Sequence, residues 1–262
     1  MATRGPVSSR RSADNCVHRL GRALSRHGGF RLDFNADFSL RVVQAPDRAE
    51  WVPSPLPGVG RRMLDRVGGE VARATSIVRY APGSSFSRHV HGGGEEILVL
   101  DGVFSDESGD HPAGAYLRNP PGTAHAPFSR EGCTIFVKLW QFAADDLVPV
   151  RVDTRSAPWH PGLVPGLSVM PLHEHDGVST ALVRWAPDTR FQRHAHPGGE
   201  EILVLQGLFV DEHGAYPAGS WLRSPRWSSH APHAGPEGAL IYVKVGHLGA
   251  PFMPLPVEPA LR

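Results

Sequence analysis

The chain has 262 residues, of which 40% are apolar, and its 27 lysine and arginine residues nearly balance its 26 aspartate and glutamate residues. This length allows one large domain or two of common size, and the small net charge gives no electrostatic reason to expect nucleic acid or an anionic membrane as a partner. The chain has two cysteines and no Cys-x-x-Cys motif, and no apolar run is long enough to span a bilayer. We therefore predict a soluble, cytoplasmic protein.

The first segment, residues 1–35, is rich in arginine, serine and glycine and nearly free of acidic residues. It lacks the apolar core of a secretory signal. Two interpretations are open, a transit-like or nucleic-acid-binding basic arm and a plain disordered extension. Low hydrophobicity combined with high charge favours disorder, so we predict a disordered basic arm that belongs to neither domain.

Beyond residue 35, short β-branched and aromatic runs alternate with turn formers. The chain holds 29 glycines and 25 prolines, which separate runs such as "TSIVRY", "EILVL", "TIFVKLW" and "LIYVKV". No long stretch places apolar residues at helical spacing. Short strands with frequent Gly/Pro turns predict an all-β sandwich or barrel.

An internal repeat organises these strands. The string "RHVHGGGEEILVL" at 88–100 returns as "RHAHPGGEEILVL" at 193–205, and the flanking sequence aligns without a gap at an offset of 105 residues. A repeated unit of this size is a duplicated domain, since solenoid repeats are much shorter. We predict two domains at 36–150 and 151–262, with the boundary near 148–156.

The repeated string carries metal-ligand chemistry in its first copy. His89 and His91 point to the same face because side chains alternate along a strand. The glycine turn that follows can reverse the chain, so that Glu95 opens the next strand on the same interior. His125 lies 30 residues further on, just after a proline-rich turn. We predict that these four side chains converge on one metal ion.

The second copy repeats the set at identical spacing, with His194, His196, Glu200 and His230. The alternative is that such histidines are ordinary surface or hydrogen-bonded residues. Recurrence of all four ligand types, while intervening positions have changed, favours metal binding. Three imidazoles and one carboxylate suit zinc, iron, manganese, nickel or copper. We predict one divalent metal per copy, zinc or iron, with manganese as a further candidate.

These residues resemble the two signature motifs of the cupin superfamily. The first motif is matched by a glycine before His-x-His-x-x-x-Glu and a glycine after it, and the second by a Gly-x5-Pro-x-Gly-x2-His pattern. In the first copy the matching residues are Gly83, His89, His91, Glu95, Gly102, Gly114, Pro120, Gly122 and His125. The second copy departs where Asp188 and Trp227 replace glycines, and these departures fall on turns rather than on ligands.

The sequence pattern "GGEEILVLDGVFSDE…PAG" is similar to that of ChrR-like cupin domains, which are found at the C-terminus of zinc-dependent anti-sigma factors. It also resembles dioxygenases that cleave acetylacetone and dihydroxyacetophenone. The resemblance covers residues 48–145 and 155–248. It implies a bicupin of two tandem antiparallel jelly-roll barrels, each with a metal inside.

Two functions stay open at this stage. In the first, ferrous iron or manganese keeps open positions for a small diketone or hydroxyketone and for oxygen, and the protein is a dioxygenase. In the second, zinc takes a closed four-ligand shell and the protein is a regulatory or small-molecule-sensing protein. Binding of a sigma factor is not expected, because the N-terminal arm offers Cys16 without a paired cysteine. Exposed strand edges would also permit a homodimer.

Charged residues recur inside the apolar strands of both copies. The cations could bind a substrate carboxylate, pair with the acidic turns at 105–107 and 210–212, or face solvent. We expect one of the last two roles. Glu96 and Glu201 follow the ligand glutamates, and alternation turns them away from the metal to a supporting or surface position. The recurring cations are Arg79/Arg184, Arg118/Arg223 and Lys138/Lys244.

Overall fold

The computed structural model describes residues 21–24, 30–46, 50–54, 56–69 and 71–249. Within these ranges the chain forms β-strands and no α-helix, which confirms the all-β prediction. The described residues therefore include no helix that is long and apolar enough to cross a membrane.

The strands are numbered in chain order. Those of the first half are β1 (Gly21–Leu24), β2 (Phe30–Asp33), β3 (Val42–Gln44), β4 (Val52–Pro53), β5 (Val59–Gly68), β6 (Ala72–Tyr80), β7 (Ser84–Ser85), β8 (His89–Val90), β9 (Glu95–Asp106), β10 (Gly109–Pro112), β11 (Ala115–Asn119), β12 (Ala124–His125), β13 (Phe128–Ser129) and β14 (Cys133–Leu139). Those of the second half are β15 (Val150–Asp153), β16 (His160–Pro161), β17 (Leu167–His175), β18 (Val178–Trp185), β19 (His194–His196), β20 (Glu200–Asp211), β21 (Gly214–Pro217), β22 (Trp221–Ser224), β23 (Ser228–His230) and β24 (His233–Val245).

The predicted arm at 1–35 lies mostly outside the described residues. Its described part contains β1 and β2, which pair antiparallel, and Phe34 forms a bridge to Arg66. This part of the segment is therefore extended structure joined to the first barrel.

Two antiparallel barrels follow, as the duplication predicted. The main sheet of barrel 1 runs β15-β11-β9-β14-β6-β5-β4, and that of barrel 2 runs β16-β17-β18-β24-β20-β22-β3. A short two-stranded sheet accompanies each, β12 with β8 and β19 with β23. The matched order in the two halves confirms tandem jelly-roll barrels built from one duplicated unit.

Each barrel takes one strand from the other half of the sequence. The exchanged strand β3 belongs to the first half, yet it pairs with β22 of barrel 2, with Gln44 opposite Trp221. The exchanged strand β15 belongs to the second half and pairs with β11 of barrel 1, with Val152 opposite Tyr116. The barrels therefore do not coincide with the sequence repeats, because each barrel includes a strand from the other repeat.

Alternate side chains of the central strands pack into different hydrophobic clusters, one inside the barrel and one between the two barrels. On β9, Ile97 and Val99 pack inside barrel 1, whereas Leu98 between them packs into a cluster shared by both halves. This shared cluster also contains Tyr116 and Trp221, each fully buried. This cluster joins the barrels face to face.

Buried ion pairs lie in the same interface. Lys138 donates to Glu201 across the repeats at 2.5 Å, and neither side chain is exposed. Lys244 donates to Glu96 in the reciprocal pair. Burial favours the neutral form of Glu96, yet Lys244 and the neighbouring cations outweigh it and lower the pKa of Glu96 to about 2. Glu96 and Glu201 turn away from the ligands as predicted, but the interface buries them, so a surface position is wrong.

The recurring arginines divide into two groups. Arg118 donates to Asp146 at 2.7 Å and Arg223 donates to Asp65 at 2.9 Å, both in buried pairs. The expected pairing with the acidic turns is therefore wrong for these two, because their strands face the partner barrel. The other pair faces solvent, as the sequence favoured, and stacks over tryptophan rings, Arg79 over Trp51 and Arg184 over Trp159.

The two glycine replacements in the second copy keep the turns unchanged. Asp188 has a φ of 55° and Trp227 a φ of 62°, close to the 77° of Gly83 and the 86° of Gly122 at the equivalent positions. Non-glycine residues adopt this left-handed conformation at some cost in strain. The departures from the family pattern therefore alter the side chains at these turns and leave the backbone path intact.

Candidate metal centres

Barrel 1 brings its four predicted ligands together. His89 lies on β8 opposite His125 of β12, His91 follows β8 directly, and Glu95 opens β9 after the glycine turn. One ligand atom from each of the four side chains lies within 4.8 Å of all the others. The spacing read from the sequence therefore corresponds to one cluster in three dimensions.

The donor set fits a divalent cation. A carboxylate oxygen of Glu95, Oε2, lies 3.3 Å from Nε2 of His91 and 3.3 Å from Nε2 of His125. Both ring nitrogens are buried and have no hydrogen-bond partner among the described residues. A buried polar atom without a partner costs free energy unless a ligand satisfies it. Nitrogen and carboxylate oxygen are the donors that Zn²⁺, Fe²⁺ and Mn²⁺ accept.

Hydrogen bonds on the far side of each imidazole fix its orientation. Nδ1 of His89 lies 3.0 Å from the Ser87 carbonyl oxygen, and Nδ1 of His125 lies 3.0 Å from the Asp106 carboxylate. Both partners only accept hydrogen bonds, so Nδ1 carries the proton and the Nε2 lone pair faces the cluster.

His91 is held in the same tautomer by a hydroxyl group. The Thr123 hydroxyl donates to the Pro120 carbonyl oxygen at 2.7 Å, which uses its only proton. It therefore accepts from Nδ1 of His91, 3.0 Å away. In its neutral form, each of the three imidazoles of barrel 1 thus turns its Nε2 lone pair to the cluster, as a metal requires.

Electrostatics around barrel 1 favour these states. Burial lowers the pKa of His91, which disfavours its protonated form. Burial opposes the charge on Asp106, but hydrogen bonds from His111, His125 and Ser108 outweigh it and hold the pKa of Asp106 well below its usual range. Asp106 therefore stays ionised and keeps His125 in the metal-binding tautomer.

Barrel 2 brings its histidines together in the same way. One ring nitrogen from each of His194, His196 and His230 lies within 4.8 Å of the other two. Glu200 approaches two of them, at 3.4 Å from Nε2 of His196 and 3.6 Å from Nε2 of His230. Nδ1 of His230 faces Asp211, which occupies the position of Asp106 in barrel 1.

Protonation in barrel 2 is set by burial. Burial lowers the pKa of His196 to about 4, with His230 and His194 adding to the effect. Burial raises the pKa of Glu200 to about 7 although His230 and Arg41 oppose it. A divalent cation in this cluster would hold the histidines neutral and the glutamate ionised, so binding would release a proton near neutral pH.

A cavity of about 400 Å³ opens beside the cluster of barrel 1. His91 and His125 line it together with Asn119 and Arg151, and the exposed ion pair between Arg88 and Glu107 lines it as well. Its walls therefore carry both cationic and acidic side chains, and two of the proposed metal ligands lie on them.

The structure gathers seven of the eight predicted ligands into two clusters and places Glu200 beside the second cluster. The sequence analysis missed the residues that orient these side chains. Asp106 and Asp211 stand in the acidic turns "SDE" and "VDE", and their recurrence at one position in both copies was the available signal. Arg151 and Arg41 were missed because each reaches its barrel on or beside an exchanged strand. Arg41 donates to Asp211 at 2.8 Å, so it supports a site in the other half of the sequence.

Two antiparallel barrels that each enclose three histidines and a glutamate define a two-barrel cupin. The model of the ChrR Cupin-like domain matches residues 39–143 and 148–249, and the chain belongs to this family. The resemblance noted in the sequence is thereby confirmed. No curated protein sequence matches the chain.

Solved structures with the same architecture differ widely in sequence. A candidate dioxygenase from Nostoc punctiforme is 16% identical with a TM-score of 0.63, covering 80% of this chain and 81% of that one. A candidate glyoxylate-induced protein from Pseudomonas aeruginosa is 14% identical with a TM-score of 0.64, covering 81% and 90%. Oxalate decarboxylase from Lactobacillus farciminis is 14% identical with a TM-score of 0.56, covering 79% and 86%. Identities this low establish the shared fold alone.

Proposed function

We propose that this protein is a metal-dependent enzyme of the dioxygenase type, acting on a small diketone or hydroxyketone in barrel 1. The observation that carries the proposal is the cavity of about 400 Å³ whose wall includes His91 and His125. A metal held only for structure needs a closed shell, whereas a catalytic metal needs an opening through which substrate reaches it. The compartment we propose is the cytoplasm.

The proposed metal would be ferrous iron or manganese, held by His89, His91, Glu95 and His125. Bound there, such an ion supplies Lewis acidity toward the paired oxygens of a diketone or hydroxyketone and the redox chemistry of oxygen. An ion that accepts more than four donors would keep room for exogenous groups beside these four side chains. The donor set and the cavity are therefore compatible with substrate binding beside the metal.

The chain's own residues define how a substrate would lie. Arg151 lines the cavity, where its guanidinium group can donate to the oxygens of an enolised substrate. Asp106 keeps His125 in its metal-binding tautomer through the 3.0 Å hydrogen bond, which holds the ring fixed while substrate enters. The core of barrel 1, with Ile97 and Val99 buried, bounds the site away from solvent.

The comparisons support the reaction class only at the level of the fold. The Nostoc protein is described as a candidate dioxygenase, and the Lactobacillus protein is an oxalate decarboxylase. The same architecture therefore accompanies more than one chemistry. The choice of a diketone or hydroxyketone rests on the resemblance of the repeated motif to dioxygenases that cleave such compounds.

The decisive experiment combines metal analysis with oxygen uptake. Metal content per chain is measured by plasma mass spectrometry on protein purified without chelators, and oxygen consumption is then followed with acetylacetone and dihydroxyacetophenone. Iron or manganese near one equivalent in barrel 1, with oxygen uptake, is the expected result. His125→Ala should abolish the uptake, whereas the matched variant His230→Ala should retain it because it alters barrel 2.

The alternative is a zinc-bound regulatory or sensing protein. The four donor atoms of barrel 1, all within 4.8 Å of one another, could equally form a tetrahedral zinc shell. Two zinc ions per chain, with no oxygen uptake after iron or manganese is loaded in their place, would establish that alternative and refute the enzyme.

A further inference from the structure

We propose that Asn119 and Arg151 are positioning residues that hold Glu95 ready for metal, and that barrel 1 consequently binds metal more tightly than barrel 2. Because Arg151 lies on the exchanged strand β15, the second repeat completes the metal centre of the first. This inference concerns affinity, and it holds whether or not the protein is an enzyme.

Two hydrogen bonds in series connect the exchanged strand β15 to the candidate ligand Glu95. Nη2 of Arg151 donates to Oδ1 of Asn119 at 2.6 Å, and Nδ2 of Asn119 donates to Oε2 of Glu95 at 3.1 Å. Arginine can only donate, so the amide oxygen of Asn119 must face Arg151 and its NH₂ group must face Glu95. Arg151 thereby fixes which end of the amide the carboxylate meets.

The strand pairing places the three residues on one face of the sheet. Asn119 stands directly opposite Glu95 between β11 and β9, and Arg151 stands opposite Leu117 on the other side of β11. Nη1 of Arg151 also donates to the Arg118 carbonyl oxygen at 2.9 Å, which ties the guanidinium to the β11 backbone. Asn119 is buried, with 3% of its surface exposed, so the hydrogen bond to Glu95 is shielded from water.

The effect on metal binding follows from preorganisation. Oε2 of Glu95 is the atom that faces His91 and His125 at 3.3 Å. A hydrogen bond from Asn119 holds that oxygen in place before the metal arrives, so binding loses less side-chain freedom. Groups that hold a ligand from outside the coordination shell typically contribute 10- to 100-fold in affinity.

In the part of the chain that the structure describes, barrel 2 has no counterpart of either Asn119 or Arg151. Ser224 stands opposite Glu200 where Asn119 stands opposite Glu95, and Val43 of the exchanged strand β3 stands opposite Leu222 where Arg151 would be. Among the described residues none donates a hydrogen bond to the Glu200 carboxylate, whose contacts are the two histidines at 3.4 and 3.6 Å.

The nearby cation of barrel 2 does not replace the missing arginine. Arg41 donates to Asp211 at 2.8 Å and to the Tyr216 hydroxyl at 2.7 Å. It therefore supports the residue behind His230 rather than the ligand glutamate. The duplicated ligands are thus alike in type, while Glu95 and Glu200 differ in how they are held.

The test measures Co²⁺ and Zn²⁺ affinity of each centre in the full chain by competition with a chromophoric chelator. The His230→Ala background isolates barrel 1, and the His125→Ala background isolates barrel 2. We expect barrel 1 to bind at least tenfold more tightly. Asn119→Ser, which copies barrel 2, should weaken barrel 1 by roughly 10- to 100-fold and shift its Co²⁺ absorption bands.

Two further variants separate positioning from general damage. Arg151→Met should weaken barrel 1, and Arg151→Lys, which keeps a donor, should recover part of the affinity. Val43→Arg with Ser224→Asn should strengthen barrel 2, a gain that misfolding cannot produce. Equal affinities of the two centres, or affinities of Asn119→Ser and Arg151→Met within twofold of the parent, would overturn the proposal. Because no turnover is measured, failure of the proposed enzyme activity leaves this result unaffected.

Discussion

The buried pair between Lys138 and Glu201 offers the sharpest test of how the barrels are joined. Lys138→Met removes the charge and keeps a side chain of similar length, so little cavity is created. Glu201 would keep the Trp221 indole donor at 2.9 Å and the His247 ring at 3.0 Å. It would nevertheless remain an unexposed carboxylate without its cation.

The expected loss in the free energy of unfolding is about 3 kcal/mol. Removing one partner of a buried ion pair typically costs about 3–5 kcal/mol, because an uncompensated charge stays behind. Trp221 and His247 would still donate hydrogen bonds to Glu201, so we expect a loss at the lower end of that range. Adding Glu201→Gln removes the second charge, so the double variant should be more stable than the sum of the two single losses predicts, by about 2 kcal/mol.

The assay is urea unfolding followed by tryptophan fluorescence and circular dichroism. Arg130→Met is the matched control, since its pair with Asp110 is exposed, with 68% and 59% of the side chains accessible. An exposed pair contributes about 0–1 kcal/mol, so this variant should unfold almost as the parent does. A loss below about 1 kcal/mol for Lys138→Met, or additivity in the double variant, would refute the reasoning.

Three further outcomes follow from local geometry. The pKa of Glu96 falls to about 2 in the fold from an ordinary 4.5. The ionised carboxylate therefore stabilises the fold by on the order of 3 kcal/mol above pH 4.5, and this contribution is lost as the pH falls toward 2. Glu96→Gln should make the free energy of unfolding, measured by urea titration, decline less over that pH range, and an unchanged decline would contradict the argument. Gly207→Ala, at φ 70° with its new Cβ against a carbonyl oxygen, should lower the thermal midpoint more than Gly177→Ala, at φ 75° in open space; equal shifts would count against the packing argument. Asp106→Asn should weaken Zn²⁺ binding by roughly 10- to 100-fold in chelator competition because His125 loses its carboxylate partner, and unchanged affinity would exclude that role.

The ligands could be predicted because their information is local. His89, His91 and Glu95 lie within seven residues of one another, so strand alternation and one turn suffice to place them on a common face. His125 needed the second copy, since its recurrence as His230 at the same spacing was what distinguished it from an ordinary histidine. The fold followed from the same repetition.

The parts that could not be predicted depend on contacts between distant segments. Arg151 stands in the sequence of the second repeat, and nothing around it indicates that its strand pairs with β11 of the first. Lys138 and Glu201 were read as separate strand residues, because only the docking of two barrels places them 2.5 Å apart. Pattern within one strand fixes the face of a side chain, while its partner depends on which strand or barrel packs there.

The two residues of each repeated Glu-Glu dipeptide face different surroundings. Alternation sends Glu95 into barrel 1, toward the histidines, and sends Glu96 out of the barrel, toward Lys244 of the other half. Glu201 makes the reciprocal contact to Lys138. Strands β9 and β20 therefore each carry a candidate metal ligand on one face and a residue of an interface ion pair on the other. A shift of either strand that removed the ion pair would also move the adjacent candidate ligand. The candidate metal centres and the interface between the two barrels therefore depend on the same few residues.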